Sequence, residues 1–321
     1  MKRIRVGVIG AGYLGRFHAE KYAALDSAEL VGVVDIDRKR ADTLAAAVET
    51  QAFSSHTDIL DKVDAVSVVT PTETHFDITR ELLARGIDVM LEKPMTSTVD
   101  EADELIETAE RCGALLQIGH LERFNAAVVA LEGKDVAPLF IESDRLSPFP
   151  NRGVDVDVIL DLMIHDIDII LNLVDSDVES VEAVGVPVVT GKVDIANARL
   201  KFKSGCVANV TASRVSKEMV RKTRLFQPDE YVSIDYAAQK IAIFRRERGA
   251  GGLPRIVEED ITIERRDSLM EETRAFLTCV ERREQPLVSG REGKRALLVA
   301  QQIQDSIQQS LEAVGARLGI I

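Results

Sequence analysis

Three residues in this chain have the types and settings needed to move a proton. Lys93 stands in Glu92-Lys93-Pro94 at the end of an apolar run. Asp161 and His165 are four residues apart in a second run, among Ile159, Leu160, Leu162, Met163, Ile164 and Ile167. That spacing puts both on one face of a helix. A carboxylate so placed can orient an imidazole and stabilise its cation. The alternative is that the two satisfy each other in the core. A partly desolvated lysine near a cationic ring can exchange protons near neutral pH, whereas an ordinary strand-end lysine is a solvated cation. Pro94 fixes φ and removes a donor in the turn that presents Lys93. Asp166 and Asp168 read as exposed or helix-end acids without a role.

Gly10-Ala11-Gly12-Tyr13-Leu14-Gly15 follows a β-branched run, opens a helical pattern and lies within a strand–helix–strand unit. In that context Gly10 permits a tight turn, Gly12 lets the backbone approach a pyrophosphate, and Gly15 lets the helix pack on the strand. The free N–H groups of the helix start, and its positive dipole end, suit phosphates. Asp35, ending the second strand, is expected to accept from ribose hydroxyls. Asp35 and Asp37 would repel a 2′-phosphate, so NAD is expected rather than NADP, with Arg38 arguing the other way. Thr70 and Pro71 follow the next strand of the pattern, with His75 on the helix after it. Ligands sit beyond the carboxyl ends of such strands, so these residues, with Glu92 and Lys93, are expected to line the cofactor crevice. For His75 alone, an ordinary helix-end histidine is an equal alternative.

These residues need a scaffold, and the pattern up to residue 120 supplies one. Ile4–Ile9, Leu30–Val34, Ala65–Val69, Val89–Leu91 and Ala114–Ile118 read as strands. Helices at Leu14–Leu25, Arg38–Val48, Thr74–Ala84 and Asp100–Cys112 alternate with them. Continuous apolar strands between amphipathic helices predict an α/β fold with a doubly wound parallel sheet. After His120 the pattern changes. Helices are expected at Phe124–Leu131 and Val158–Val174, and a strand at Leu139–Leu146. Further strands follow at Val178–Val189, Ile195–Phe202, Cys206–Ser213, Tyr231–Tyr236, Gln239–Arg245 and Arg255–Ile263. Ser204-Gly205 reads as a hairpin turn, and Arg246–Pro254, with Gly249, Gly251 and Gly252, as a loop. Helices return at Leu269–Arg283 and Glu292–Leu311. Successive strands without helices favour a mostly antiparallel sheet. Two domains are therefore expected, residues 1–120 and 121–321.

Composition narrows the function classes. The 321 residues carry a net charge of −13, which disfavours nucleic acid as a partner and leaves room for an anionic small substrate. Cys112, Cys206 and Cys279 are far apart and odd in number, so neither zinc nor a disulfide framework is expected, and no metal site is assigned. No run approaches the roughly 18 apolar residues of a membrane span. Met1-Lys2-Arg3 precedes only a short apolar stretch, so a cytoplasmic protein is expected.

With these residues in place, the chain resembles the Gfo/Idh/MocA family of NAD(P)-dependent sugar and cyclitol oxidoreductases. The resemblance is carried by Val8-Ile9-Gly10-Ala11-Gly12, by Thr70-Pro71 with His75, by Glu92-Lys93-Pro94, and by Asp161 with His165. It implies a Rossmann domain, a second domain with a large open sheet whose outer face forms a homodimer or homotetramer, and a site between them. It also implies Lys93 as catalytic lysine and His165 as acid/base supported by Asp161. Two stretches are similar to a narrower group that oxidises the 3-hydroxyl of UDP-N-acetylglucosamine on the way to lipid A. They are Gly119-His120-Leu121-Glu122-Arg123-Phe124-Asn125 and Thr211-Ala212-Ser213-Arg214-Val215-Ser216, the latter followed by Arg221-Lys222-Thr223-Arg224 and Phe226-Gln227-Pro228. That likeness implies a sugar-nucleotide substrate contacted by His120, Arg123, Asn125, Arg214 and Arg224. Arg123, Arg214, Arg221 and Arg224 offer cations to a diphosphate, or else alternate on a strand's solvent face. Other readings are a dehydrogenase of a free sugar or inositol, an NAD-dependent glycosidase, and a non-catalytic NAD(P)-binding regulator.

Overall fold

The β-branched run Ile4–Ile9 is strand β1, and the first sheet is built outward from it. The computed structural model describes residues 3–131, 133–134, 136–149, 156–248, 253–261 and 263–318. They fall into two units: residues up to Phe124 with Asp267–Lys294, and Asn125–Arg266 with Arg295 onward. A single cut after residue 120 is therefore corrected. The chain comes back to the first unit because a late helix is apolar on the side that covers its sheet.

In the first unit β1 is followed by α1 (Tyr13–Ala24), β2 (Ala28–Val34), α2 (Arg38–Ala47) and β3 (Gln51–Phe53). Then come β4 (Ala65–Val68), α3 (His75–Ala84), β5 (Asp88–Glu92), α4 (Val99–Cys112) and β6 (Leu116–Gly119). The sheet order is β3-β2-β1-β4-β5-β6, every pairing parallel. The order reverses between β1 and β4, which is where ligands bind in such sheets. Local chemistry sets the helix ends. Asp37 accepts from Lys39 and Arg40 N–H at the start of α2, and Thr98 with Glu101 forms a capping box at α4. β3 escaped the sequence reading because a three-residue edge strand carries too little pattern.

The second unit holds α5 (Ala126–Val129), β7 (Phe140–Leu146), a π-helical segment at Ile159–Met163, and α6 (Ile164–Leu173). Its remaining strands are β8 (Val178–Val186), β9 (Ile195–Phe202), β10 (Val207–Ser213), β11 (Val220–Gln227), β12 (Glu230–Asp235), β13 (Lys240–Arg248) and β14 (Pro254–Ile261). Eight strands pair in the order β14-β13-β12-β11-β7-β10-β9-β8, all antiparallel except β7 with β10. β11 lies near the middle of this sheet yet was read only as a basic motif. Val-Arg-Lys-Thr-Arg-Leu buries just alternate side chains, so its polar face hides the strand. β13 also runs on to Arg248, into the expected loop, whose Gly249, Gly251 and Gly252 lie outside the described residues.

Late in the chain come α7 (Ser268–Arg282) and α8 (Gly290–Leu318). Phe276, Leu277 and Val280 of α7 join Val6, Val8, Ala19 and Tyr22 in the first unit's core. In the second unit, Ile164, Ile167 and Ile170 of α6 and Ala300, Ile303 and Ile307 of α8 pack on one face of the sheet, against Ala198, Leu200, Val210 and Leu225. Phe140, Phe226, Tyr231 and Phe244 stack in a row across four strands, with centroids 5.8, 5.4 and 4.3 Å apart.

One buried ion pair secures a loop of the second unit. The Asp194 carboxylate accepts from the N–H groups of Val188, Val189 and Thr190 at 2.8, 2.6 and 2.8 Å, and from Arg214 Nε at 2.8 Å. Burial alone would push this carboxyl up. The backbone N–H groups of Thr190 and Val189, the Thr190 hydroxyl and the Arg214 guanidinium outweigh burial and hold it far below the ordinary range. A depressed folded pKa stabilises the protein above the unfolded value near 3.9, and the gain is lost as pH falls through the folded value. Removing one partner of such a pair leaves the other charge buried. We therefore expect Asp194→Asn to lower the unfolding free energy by about 3–5 kcal/mol in urea denaturation at pH 7. A loss below about 1 kcal/mol would mean the pair does not secure the loop.

Candidate active site

The glycine string is a set of close approaches. Gly10 has φ of +103°, and a Cβ there would meet the Val69 carbonyl oxygen at 2.3 Å. A Cβ on Gly15 would lie 1.8 Å from the Gly10 oxygen, so α1 rests on the turn with no side chain between. Gly12 differs: a Cβ there meets nothing within 4 Å. Gly12 is also the N-cap of α1, whose first turn carries no acidic residue. The result is an open cradle at a positive helix end, which fits a pyrophosphate. Tyr13 and Leu14 leave apolar side chains exposed on that first turn.

Asp35, just past β2, accepts from Ala11 N–H through Oδ2 and from Asp37 N–H through Oδ1, both at 2.8 Å. It thus ties the second strand's end to the glycine turn. Val69 N–H donates to the Ile9 oxygen and carries the chain to Thr70 and Pro71. His75 is buried with its ring nitrogens 2.8 Å from the Thr70 oxygen and 2.9 Å from the Pro94 oxygen. Its ring therefore sits buried between these two loops and is not a crevice wall. Burial pushes its pKa down, against the pull of the two carbonyls and the Glu92 charge.

Lys93 follows β5 and is half-buried. Glu92 is buried, with Oε1 3.1 Å from His18 Nε2 and Oε2 accepting the Lys93 N–H at 3.2 Å. His18 Nδ1 lies 3.2 Å from Ser67 Oγ, which is 2.8 Å from the Tyr22 hydroxyl. Burial alone would raise the Glu92 carboxyl. The His18 hydrogen bond and charge, then the Lys93 charge and N–H, outweigh it and hold the carboxyl below its usual range. Glu92 is therefore a buried hub and not a crevice residue.

In the second unit, Asp161 lies in the π-helical segment and His165 in the first turn of α6, so the pair is not on a regular α-helical face. π-segments are frequent at functional sites. Asp157 starts the segment, accepting from Ile159 and Leu160 N–H at 3.0 Å each, and Gln304 donates to it at 2.6 Å. Asp161 is half-buried and His165 is 9% exposed. Asp166 and Asp168 are buried, which corrects their reading as exposed acids. Asp166 takes a two-pronged bond from Arg145, at 2.7 and 3.0 Å, and accepts from Ser143 at 3.2 Å. Arg145 lies 21 residues earlier in the chain, on β7, so only the topology reveals the pair.

The expected substrate contacts fare unevenly. Arg214 is fully buried on Asp194 and bonds the Val156 oxygen at 2.7 Å, so it offers nothing to a diphosphate. Asn125 caps α5 through Ala127 N–H and donates to the Tyr236 oxygen at 3.1 Å, which makes it structural. Arg224 pairs with Glu142 at 2.6 Å beside Phe226, on the face of the sheet opposite α6 and His165. His120 and Arg123 are both buried in the first unit. Arg221 is exposed and stands directly across from Arg145, on the same face as Thr223 and Asp166. Strand alternation through β11 was the signal that could have ranked it above Arg224.

The sheet order and the open glycine cradle define the first unit as a dinucleotide-binding Rossmann unit. Comparison with known proteins narrows the reading. Residues 4–120 match the model of an oxidoreductase family with an NAD-binding Rossmann fold, and residues 139–226 match a GFO/IDH/MocA C-terminal domain. The chain is 40% identical over 316 residues to UDP-N-acetylglucosamine 3-dehydrogenase of Acidithiobacillus ferrooxidans, spanning 97% of this chain and 100% of that one. A solved structure of that enzyme aligns with a TM-score of 0.92 over 96% of this chain and 99% of the other. Myo-inositol 2-dehydrogenase of Thermotoga maritima is 28% identical over 95% of this chain and 97% of its own. The protein belongs to the Gfo/Idh/MocA family of oxidoreductases.

The two glycines separate folding from binding. Gly15→Ala drives a Cβ into the Gly10 carbonyl and should lower the melting temperature by several degrees, about 4 °C or more. Gly12→Ala should melt like the parent while binding NAD at least about tenfold more weakly in calorimetry, since its methyl occupies only the ligand's space. Equal NAD affinity in Gly12→Ala and the parent would remove the cradle from the account.

Proposed function

We propose that the protein oxidises the 3-hydroxyl of UDP-N-acetylglucosamine to the 3-keto sugar nucleotide, with NAD as cofactor. The observation that carries the reading is the 40% identity to a UDP-N-acetylglucosamine 3-dehydrogenase along both chains' whole length. Gly10, Ala11, Gly12, Tyr13, Leu14 and Gly15 hold the pyrophosphate, and Asp35 faces the ribose. Its carboxylate is poorly suited to a 2′-phosphate, which favours NAD over NADP. When bound, NAD supplies the hydride acceptor.

The residues of this chain then handle the proton and the sugar. His165 takes the hydroxyl proton as the C–H bond breaks, and Asp161 orients the imidazole and stabilises its cation. Lys93 hydrogen-bonds the reacting oxygen and shares the proton relay. Among the arginines, Arg221 replaces Arg214 and Arg224 as the cation for the diphosphate, because it is exposed on the face of the sheet that α6 covers. The keto product fits an aminotransfer step leading to a diamino sugar of lipid A. Three free cysteines suit a reducing, cytoplasmic setting, and among the described residues no helix is long and apolar enough to cross a membrane. The aromatic row Phe140, Phe226, Tyr231 and Phe244 on the outer face of the second unit's sheet supports that face as the surface for a homodimer or homotetramer.

The test is NADH absorbance on mixing protein, NAD and UDP-N-acetylglucosamine with a carbonyl trap. A rise that free N-acetylglucosamine does not give supports the reading. In Lys93→Ala and His165→Ala the rate should fall by about 10²–10⁴-fold with NAD binding unchanged in calorimetry. A rise with free sugar or inositol alone would move the substrate to the mildest rival, and wild-type rates in both variants would remove their roles.

A further inference from the structure

Two buried histidines that the proposed chemistry leaves unused stand on either side of Lys93. His18, on α1, holds the residue before it: Nε2 is 3.1 Å from Glu92 Oε1, and the other Glu92 oxygen accepts the Lys93 N–H at 3.2 Å. His75, at the start of α3, holds the residue after it, with Nδ1 2.9 Å from the Pro94 oxygen. Each histidine is 1% exposed, so neither can touch a substrate. Each also reaches back to the cofactor end of the sheet. His18 lies six residues after Gly12, in the second turn of the helix that the glycine cradle starts, 3.2 Å from Ser67 of β4. His75 Nε2 is 2.8 Å from the Thr70 oxygen, just past β4.

We propose that His18 and His75 are positioning residues for Lys93, clamping Glu92 and Pro94 so that the lysine keeps a set place relative to the cofactor loop. The inference rests on Lys93 being the group that meets the substrate. A buried carboxylate without its donor either takes a proton or turns toward water. Without His18, Glu92 has one fewer reason to hold the Lys93 N–H, and the lysine's charge environment changes with it. The charged and titratable groups around Glu92 are His18 from α1, Lys93 beside it and His75 from α3, with Tyr22 and Glu272 acting on one another behind them. Without His75, the Pro94 and Thr70 carbonyls lose the ring that joins them. Small misplacements of a reacting group are expensive: a shift of about 1 Å can cost about 10²-fold in rate.

The experiment uses the whole protein and three readouts: NAD binding by calorimetry, kcat and KM with UDP-N-acetylglucosamine, and the rate at which an amine reagent labels Lys93 without cofactor, measured by peptide mass spectrometry. His18→Ala and His75→Ala should lower kcat by about 10–100-fold while NAD affinity and KM stay near the parent. Both should change the Lys93 labelling rate severalfold, and His18→Gln, which keeps a donor, should recover most of both losses. A kcat within about threefold of the parent together with unchanged labelling in both alanine variants would overturn the proposal. If the alanine variants do not fold, His18→Gln is compared with His18→Met, of similar bulk but no donor. Equal labelling in those two would leave His18 a packing role only and overturn its part. If the parent makes no NADH from the sugar nucleotide, the proposed function fails, while the labelling comparison still decides this inference.

Discussion

A carboxylate inside a hydrophobic sheet has to be answered, and much of the first unit is arranged around that need. Glu92 ends strand β5, between β4 and β6, and is 7% exposed. Its charge is held by His18, the imidazole by Ser67, and the serine by Tyr22, so one chain of polar contacts crosses from β5 to β4 and on to α1. Each member is buried and each has a partner, the condition under which a buried polar network fixes one arrangement instead of weakening the core. The helix that presents N–H groups to a pyrophosphate and the strand that presents Lys93 are therefore held in register by the same contacts.

The glycines impose the matching constraint at the top of that helix. Gly15 lets α1 touch the turn it springs from, and Gly10 lets the turn touch the end of the neighbouring strand. With no room for a methyl at either place, the loop has little freedom left, and the space above Gly12 is what remains. In the second unit the equivalent rigidity comes from ion pairs. Arg145 on β7 grips Asp166, the residue after His165, and Ser143, Thr223 and Tyr236 extend that grip across the sheet. The imidazole sits between a π-segment capped by Asp157 and a buried salt bridge, so its backbone is held on both sides.

What the amino-acid order disclosed follows from the range of the interactions concerned. The glycine turn, the Asp35 strand end and the apolar parallel strands are local, each signalled within a few residues. Lys93 and the Asp161/His165 pair were legible as residue types at informative positions. The π-segment was not, since nothing in Ile-Leu-Asp-Leu-Met distinguishes it from an α-helical turn. Arg214, Asn125 and Asp166 were misjudged because their partners lie far along the chain or in backbone that only the fold brings close: Asp194 is 20 residues away, the Tyr236 oxygen 111, and Arg145 21. Arg224 was misjudged for another reason. Its strand looked like a basic cluster, and an odd spacing of three residues puts it on the opposite face from Arg221. Return of α7 to the first unit likewise depends on packing that no local pattern announces.

The central claim is that hydride leaves carbon 3 of a UDP-linked N-acetylglucosamine, and an isotope reads it directly. UDP-N-acetylglucosamine carrying deuterium only at carbon 3 is incubated with the protein and NAD, and the reduced cofactor is weighed by mass spectrometry. The account predicts cofactor heavier by one deuterium and a primary isotope effect on its formation. Unlabelled reduced cofactor would place the oxidation at another carbon, and no reduced cofactor at all would contradict the account.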